Sequence, residues 1–490
     1  MSNKPSYAST KQRFVRRLFN IWKNSQKKAQ DAQATHGGTL TIHAIPYRVE
    51  GELGRFVFRT YALQEDRHTV WNASTDVFAA LGPREYYPTA GMRELLLDMA
   101  SAMSYRKTAA LLNRVRHETV DPTPMTTVAA MTEREGTAVQ AHMDQWATQV
   151  LADHAFTDTA RPQVAAAESF DAPMTPSLSP SCIDQAIAAY NAEKPEALPI
   201  PAEAATEFYE NPEQTVNVSI DDVGVKKQKG VRIRSTVEEP PQASPSHADS
   251  SRTAKGHPPT KRTPRPKAPR AYVHNTVAHV ETTHGWYVLT GFGTIAVLRL
   301  VVAFLLYRGV LHDHFVQFFV DGQRTLHAAI LERWNWLGSK RILLDWFHLQ
   351  EKCEKELSTA LRGRQVRNRV LDHLLPLLWL GRVDAAIDYL RTLGAETLKT
   401  GQSVDLLVGY FERNRAYIPC YALRKQLGLR NSSNRGEKAN DLCVAERQKH
   451  HSMSWSPKGS VALASVVTLQ HNREAAHWCA DHHLDFQWVA

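Results

Sequence analysis

Two short apolar segments of this sequence each end in an aspartate. Phe315–Val320 leads into Asp321, and Ile342–Leu344 leads into Asp345. A buried strand that delivers a carboxylate at its carboxyl end is where α/β folds place their chemistry. Gly322 follows Asp321 directly, so the backbone there can turn tightly and lie close to a ligand. The sequence therefore predicts a carboxylate site at Asp321, whose other members must come from elsewhere in the chain.

The other carboxylates come from two distant segments. The alternating pattern of Thr215–Gln228 predicts a strand that carries the acid pair Asp221 and Asp222, and Glu437 lies on a predicted helix near the C-terminus. Three carboxylates from separate elements can hold two divalent ions, for which Mg²⁺ prefers carboxylate oxygens and water. We therefore predict that Asp221, Asp321 and Glu437 are catalytic residues and ligands of two Mg²⁺ (or Mn²⁺) ions, with Asp222 as the alternative first acid.

Each of these acids also has a purely structural interpretation. Asp221 and Asp222 could form a solvated strand end, and Asp321 could cap the helix that follows it. Glu437 stands three residues after Asn434, which is the spacing of a capping box that satisfies helix donors. Spacing alone does not separate a cap from a ligand at Glu437.

A metal site of another kind is suggested by the residues after Asp345. His348 and Cys353 follow within eight positions, but one histidine and one cysteine without partners fall short of a zinc ligand set. We interpret His348 as a structural histidine that positions its helix.

The charge balance favours an anionic partner. Lys and Arg number 59 against 50 acidic residues, which gives a formal charge of +9 and a pI of about 9.2. Such a balance bears on association and not on fold. The five cysteines are odd in number, widely spaced and without a CxxC pair, which indicates reduced thiols and a cytoplasmic protein.

Neither a secretory signal nor a membrane span is expected. Residues 1–28 contain no apolar core segment of the kind that a signal peptide needs. The longest apolar run, Thr294–Tyr307, is too short to span a bilayer and carries Arg299.

The N-terminal part is expected to bind DNA. Residues 1–90 predict a basic N-terminal helix (11–28) and a small β unit (39–63). Residues 91–153 predict a helix-turn-helix-like domain, with helices at 126–136 and 139–152 after the turn; the alternative is a small helical bundle. Residues 154–214 are rich in Ala, Pro and Ser and predict a linker with one short helix around Ile183.

The C-terminal part is expected to be the catalytic unit. Residues 215–348 predict three strands, a helix, a strand, a helix and a strand, the order of an RNase-H-like α/β mixed sheet. A basic, Pro-rich insertion at 238–269 is expected to be disordered. An all-helical insertion follows at 349–430, and the helices of 431–490 complete the core.

Several motifs of this part resemble a known family. They are Val320-Asp321-Gly322, Leu344-Asp345-Trp-Phe-His348 with Cys353, Asn431-Ser-Ser-Asn-Arg-Gly-Glu437-Lys-Ala-Asn-Asp, Arg447-Gln-Lys and Met453-Ser-Trp-Ser-x-x-Gly459. Together they resemble bacterial insertion-sequence transposases of the DDE type, and most closely the Mutator-like group, which has an all-helical insertion before its catalytic Glu.

The resemblance implies that Asp321 is the second acid and Glu437 the third, and an Asp late in the first strand suits Asp221. Cys353 and His348 stand in the reverse of the usual order, so no family role is carried over to them.

The resemblance implies a DNA transposase that binds the terminal inverted repeats of its element and catalyses metal-dependent strand cleavage and transfer into target DNA. It would act on double-stranded DNA in the bacterial cytoplasm, as a homodimer or higher oligomer, without a membrane partner. Two alternatives stay open from the residues alone. One is a DNA-binding protein with a decayed or repurposed nuclease fold, and the other is a nuclease without strand transfer.

Overall fold

The computed structural model describes residues 26–35, 40–51, 54–65, 68–72, 86–117, 122–163, 170, 177–194, 196, 198–228, 271–450 and 453–490. The predicted disordered insertion at 238–269 lies outside the described residues, as does all but 26–28 of the predicted basic helix.

A four-stranded sheet opens the described chain. Its strands are β1 (Thr41–Gly51), β2 (Gly54–Glu65), β3 (His68–Asn72) and β4 (Tyr86–Pro88). The strand order is β3-β2-β1-β4, in which β1 and β2 are antiparallel and β4 runs parallel to β1. The small β unit predicted around this hairpin is therefore present.

Three helices follow this sheet: α1 (Ala90–Ala102), α2 (Tyr105–Val115) and α3 (Met125–Asp153). The predicted N-cap of α2 is confirmed, since the Ser104 hydroxyl accepts a hydrogen bond from the Lys107 amide at 3.3 Å. The prediction of two helices within 126–152 was wrong, because α3 is continuous over 29 residues. Gly136 does not break it. A Cβ at Gly136 would collide with the backbone of Ala462, so this glycine permits two helices to approach closely.

Helices α1–α3 belong to the main hydrophobic core. Their buried residues Leu96, Met131 and Val139 share one cluster with Val218 of the central sheet. The described helices of 91–153 are thus packed onto the rest of the chain and do not form a separate unit. DNA binding by this segment stays a prediction.

The described part of 154–214 is more ordered than its composition suggested. Helix α4 (Pro180–Glu193) buries Ile183 and Tyr190, which share a cluster with Tyr209 and with Leu423 of the insertion. The short helix predicted around Ile183 is therefore confirmed, and its packing against Leu423 is a contact that the composition of the segment did not predict.

The central sheet has five strands. They are β5 (Thr215–Lys226), β6 (Tyr272–Thr282), β7 (Gly285–Gly291), β8 (Phe315–Val320) and β9 (Lys340–Leu344). The order is β7-β6-β5-β8-β9; β5, β6 and β7 form an antiparallel meander, and β8 and β9 run parallel to β5. Helices α5 (Thr294–Tyr307) and α6 (Arg324–Arg333) connect the later strands. The fold is thus α/β with a mixed sheet, and its elements follow the predicted order.

The remaining helices form the insertion and the C-terminal part. The insertion contains α7 (Trp346–Ala360), α8 (Arg364–Trp379), α9 (Val383–Arg391), α10 (Gln402–Asn414) and α11 (Tyr421–Gln426). The C-terminal part contains α12 (Asn434–Asn440), a π-helical turn (Asp441–Ala445), α13 (Glu446–Gln448), α14 (Pro457–His471) and α15 (Ala475–Asp481). Most of the insertion packs around its own apolar cluster. None of the described helices combines the length and the apolar character that crossing a bilayer requires.

Candidate active site

Asp221 and Asp321 lie level with each other at one edge of the central sheet. Strands β5 and β8 pair in parallel, and their last matched residues are Ser219 and Phe319. Two residues further on, the same register sets Asp221 beside Asp321. Both aspartates line a small cleft at this edge, as the sequence predicted for adjacent strands.

Asp222 points to the other side of β5, because successive side chains of a strand alternate between faces. Its carboxylate accepts hydrogen bonds from the hydroxyls of Thr276 on β6 and Thr294 at the start of α5, the latter at 3.5 Å. Asp222 does not line the cleft. The geometry therefore favours Asp221 over Asp222 as the first acid.

Asp321 shapes a tight turn after β8. Its Oδ1 accepts a hydrogen bond from the amide of Gln323, the residue that caps α6, at 2.8 Å. Gly322 has φ +86°, which only glycine adopts without strain, and a Cβ there would collide with the Tyr410 hydroxyl. Tyr410 of α10, in the helical insertion, thus packs against the loop that carries Asp321.

Glu437 reaches the cleft from α12. This helix begins at Asn434 and its N-cap is Ser433, so Asn434 is not the cap of a capping box. The Ser433 hydroxyl instead lies 3.4 Å from Glu437 Oε1. Gly436 makes the placement possible, because a Cβ there would collide with the side chain of Ser219 on β5. A glycine at this point lets α12 rest directly on the strand that carries Asp221.

The cleft is narrow. It has a volume of about 10 Å³, room for about one water molecule. Its walls are Ser219, Ile220, Asp221, Phe319, Asp321, His348, Ser433, Gly436 and Glu437. The three predicted carboxylates therefore come together in one place, from two strand ends and one helix.

Asp345 holds the edge of this cleft together and does not line it. It is the N-cap of α7, where its Oδ1 accepts hydrogen bonds from the His348 amide at 2.9 Å and from His348 Nδ1 at 3.1 Å. Its Oδ2 accepts from the amide and the hydroxyl of Ser433. Asp345 thereby joins the start of α7 to the start of α12, and Glu437 lies one turn along α12.

The electrostatics of the cleft follow from crowded carboxylates. Burial raises the pKa of Asp221, and the neighbouring charge of Asp321 raises it further. The hydrogen bond to Asp345 raises the pKa of His348 to about 9, and the charges of Asp345, Glu437 and Asp321 add to this. His348 Nδ1 lies 3.7 Å from Glu437 Oε1. At neutral pH His348 is thus an imidazolium that faces Glu437.

Ligand atoms of Asp345, His348 and Glu437 lie within 4.8 Å of one another and could hold a metal ion. Asp345 is fully buried and does not line the cleft, whereas Asp221, Asp321 and Glu437 all line it, so these three are the carboxylates that a metal ion in the cleft would meet. Cys353 is fully buried in the core of the insertion, and burial raises the pKa of its thiol. Cys353 therefore takes no part in the cleft.

Two further polar residues of the C-terminal helices have contacts that define their roles. The Asn440 amide donates a hydrogen bond to Asp221 Oδ2 at 2.6 Å, and its place one helical turn after Glu437 was the signal for it. Arg447 is not among the residues that line the cleft. It is buried, donates to the Ala100 carbonyl at 2.8 Å and lies over the rings of Tyr105 and Trp455.

A scan of the chain against models of known protein families found no match. A search among curated proteins found none either.

Proposed function

We propose that this chain is a DNA transposase of the DDE type, which cleaves element ends and joins them to target DNA. The observation that carries the proposal is the convergence of Asp221, Asp321 and Glu437 on one cleft. Phosphodiester cleavage by divalent metals needs such a set of carboxylates from separate elements. The strand order β7-β6-β5-β8-β9, a meander followed by parallel strands, agrees with the RNase-H-like sheet that the sequence predicts.

Asp221, Asp321 and Glu437 would hold two Mg²⁺ (or Mn²⁺) ions, for which the cleft, with room for about one water molecule, would have to widen. The fit rests on donor chemistry, because Mg²⁺ takes carboxylate oxygens, and on the place of Asp221 beside Asp321 in one cleft. Burial, and then the charge of Asp321, raise the pKa of Asp221, and a bound cation would stabilise its charged form. When bound, the ions would supply charge stabilisation to the attacking and leaving oxygens.

The residues around the carboxylates fix their positions. Asn440 holds one oxygen of Asp221, and the Asp222 amide holds the other at 2.7 Å. The His348 imidazolium faces Glu437 and is itself fixed by Asp345. Holding a carboxylate by neighbouring hydrogen bonds sets its orientation, and loss of such a contact commonly costs 10–100-fold in metal affinity or activity.

The test is cleavage of DNA that carries the sequences flanking the gene. We expect the full-length protein to cut this DNA in Mg²⁺ and not in EDTA, and Asp321→Ala to bind the DNA as the wild type does without cutting it. Near-normal cleavage by Asp321→Ala would contradict the assignment. A supercoiled plasmid in the same reaction tests strand transfer, because cutting without joined products would leave a nuclease, and binding without cutting would leave a DNA-binding protein.

A further inference from the structure

The turn between α7 and α8 carries a concentration of positive charge. Arg362, Arg364, Arg367 and Arg369 lie within one short stretch that has no acid between its ends. Lys399 joins them in space, since the backbone of Leu361 bridges to Leu398 and the Lys399 amide donates to the Ala360 carbonyl at 2.6 Å. We call this surface, Arg362, Arg364, Arg367, Arg369 and Lys399, the arginine edge.

The members of the arginine edge differ in their contacts. Arg362 donates to the Leu398 carbonyl at 2.6 Å, and Arg367 donates to the Ser358 hydroxyl at 3.0 Å, so both help to shape the turn. Arg364 and Arg369 are exposed and form no ion pair with any carboxylate of the described residues. Two other exposed arginines of the same insertion are paired: Arg391 lies 3.1 Å from Glu412, and Arg415 pairs with Asp384.

This unpaired charge has a cost for the fold. The arginines lie in and before the first two turns of α8, where the helix dipole disfavours cations. Like charges close together also repel each other. A solvated helix face would more commonly mix both signs, as the rest of the insertion does. The arrangement is therefore better explained by an anionic partner than by solvation.

The position of the arginine edge relative to the cleft suggests which polyanion it meets. Helix α7 starts directly after Asp345 at the cleft and ends at Ala360 beside the arginine edge. Its 15 residues span about 22 Å at ~1.5 Å per residue. Along duplex DNA, with one phosphate per ~3.4 Å on each strand, that length corresponds to about six to seven base pairs. The planar guanidinium group of arginine binds phosphate oxygens well. A duplex that enters the cleft at the start of α7 would therefore also be within reach of the arginine edge at the end of α7.

We propose that the arginine edge binds the phosphate backbone of duplex DNA about six to seven base pairs from the phosphate that is cut. The inference rests on the proposed function for the position of the cut, but the contact with DNA does not require cleavage. Arg364 and Arg369 are the members free to bind, and Arg362 and Arg367 hold the turn that presents them.

The experiment compares two charge-matched variants of the full-length protein. Arg364→Gln/Arg369→Gln removes the two unpaired arginines, and Arg391→Gln/Arg415→Gln removes two paired ones from the same insertion. Binding of each to a random-sequence 40-bp duplex is followed by fluorescence anisotropy over a series of KCl concentrations. The first variant should lower the slope of log K against log[KCl] by about 1.8, because each phosphate contact contributes ~0.9, and the control should leave it nearly unchanged.

Several outcomes would contradict the proposal that the arginine edge binds DNA. An unchanged slope in the first variant would do so, as would an equal change in the control, which would point to net charge alone. Loss of binding to phosphatidylserine vesicles with unchanged DNA binding would point to a lipid surface instead. A slope that changes as expected in a protein that never cuts DNA would support the arginine edge and count against the proposed function.

A cleavage assay tests the distance. The DNA is trimmed to about 4 bp on one side of the cut at a time, short of the ~6–7 bp span, and left long on the other side. When the trimmed side is the one that the arginine edge contacts, the first variant should cut as well as the wild type. On long DNA at elevated salt it should cut less well. An equal deficit on both substrates would contradict the proposed spacing.

Discussion

The side-chain amide of Asn440 donates a hydrogen bond to Asp221 Oδ2 at 2.6 Å, across 219 residues of sequence. Asn440 is 5% exposed and ends α12, the helix that carries Glu437. One contact therefore ties the helix of the third acid to the strand of the first. Because Gly436 rests on Ser219 of the same strand, the two elements meet at two points, and the distance between the two acids depends on both.

Loss of the Asn440 contact should weaken catalysis more than folding. We expect Asn440→Ala to lower Mg²⁺-dependent cleavage about 10–100-fold, since Asp221 would lose the donor that orients it. The Mg²⁺ concentration for half-maximal cleavage should rise, whereas binding to DNA should stay unchanged. A titration of cleavage against Mg²⁺ measures this, and an unchanged metal requirement would contradict a positioning role.

The two adjacent aspartates of β5 should respond differently to the same substitution. Asp221→Asn should abolish cleavage, because it removes a carboxylate from the cleft. Asp222→Asn should still cut, because Asp222 bonds Thr276 and Thr294 on the opposite face. It should lose about 1 kcal/mol of stability at most, the scale of one hydrogen bond. If Asp222→Asn were the inactive variant, the assignment of the first acid would be reversed.

Glu437→Gln separates a helix cap from a metal ligand. An amide is a poorer Mg²⁺ ligand than a carboxylate, so cleavage should be largely lost. The melting temperature should stay within a few degrees, because Ser433 and not Asn434 is the N-cap, and even a cap contributes only about 1 kcal/mol. Melting and cleavage should be measured on one preparation. A variant that melts early and still cuts would indicate a structural role.

Gly322→Ala should damage the loop of Asp321 through two effects. A residue with a Cβ at φ +86° costs about 1–2 kcal/mol, and the added Cβ collides with the Tyr410 hydroxyl. Gly309→Ala is the matched control, since Gly309 has φ +69° with open space around it. Urea unfolding should show a larger loss for Gly322→Ala than for Gly309→Ala, and Tyr410→Phe should recover part of the difference. Equal losses would show that the contact with Tyr410 contributes nothing.

The buried His279 predicts a loss of stability in acid. Burial, together with the charges of Arg430, His471 and Arg435, lowers its pKa to about 3, although Glu281 lies 4.0 Å away. Glu281 is already paired with Arg430 and Arg435. Between about pH 6.5 and pH 3 the unfolded chain therefore binds a proton that the folded chain does not.

The stabilising effect of neutral His279 is complete above the unfolded pKa and is lost as the pH falls, by about 2 kcal/mol at pH 5. Urea unfolding at pH 7.5 and pH 5 should reveal this loss in the wild type. His279→Gln should show a smaller difference between the two pH values, and His373→Gln, at an exposed position, should behave as the wild type. An undiminished difference in His279→Gln would refute the prediction.

The sequence alone determined the order of elements in the central sheet and the points at which the strands before Asp321 and Asp345 end. Runs such as Phe315–Val320 are apolar and β-branched or aromatic, and strand and helix periods are local properties. The pair Asp321-Gly322 marks a turn by its own chemistry, and the apolar run Thr294–Tyr307 coincides with helix α5 at both ends. These features depend on neighbours in sequence, so a single sequence is enough to predict them.

Only the tertiary structure decided which polar residues meet. Asp221 and Asp222 are equivalent in the sequence, and their roles separate because one faces the cleft and the other faces Thr276. Arg447 lies over the ring of Tyr105, which comes from a distant segment, and over that of Trp455. Gly136 lies inside a continuous helix because the backbone of Ala462 packs closely against it. A side chain's partner is fixed by packing across the whole core, and local spacing carries no record of that packing.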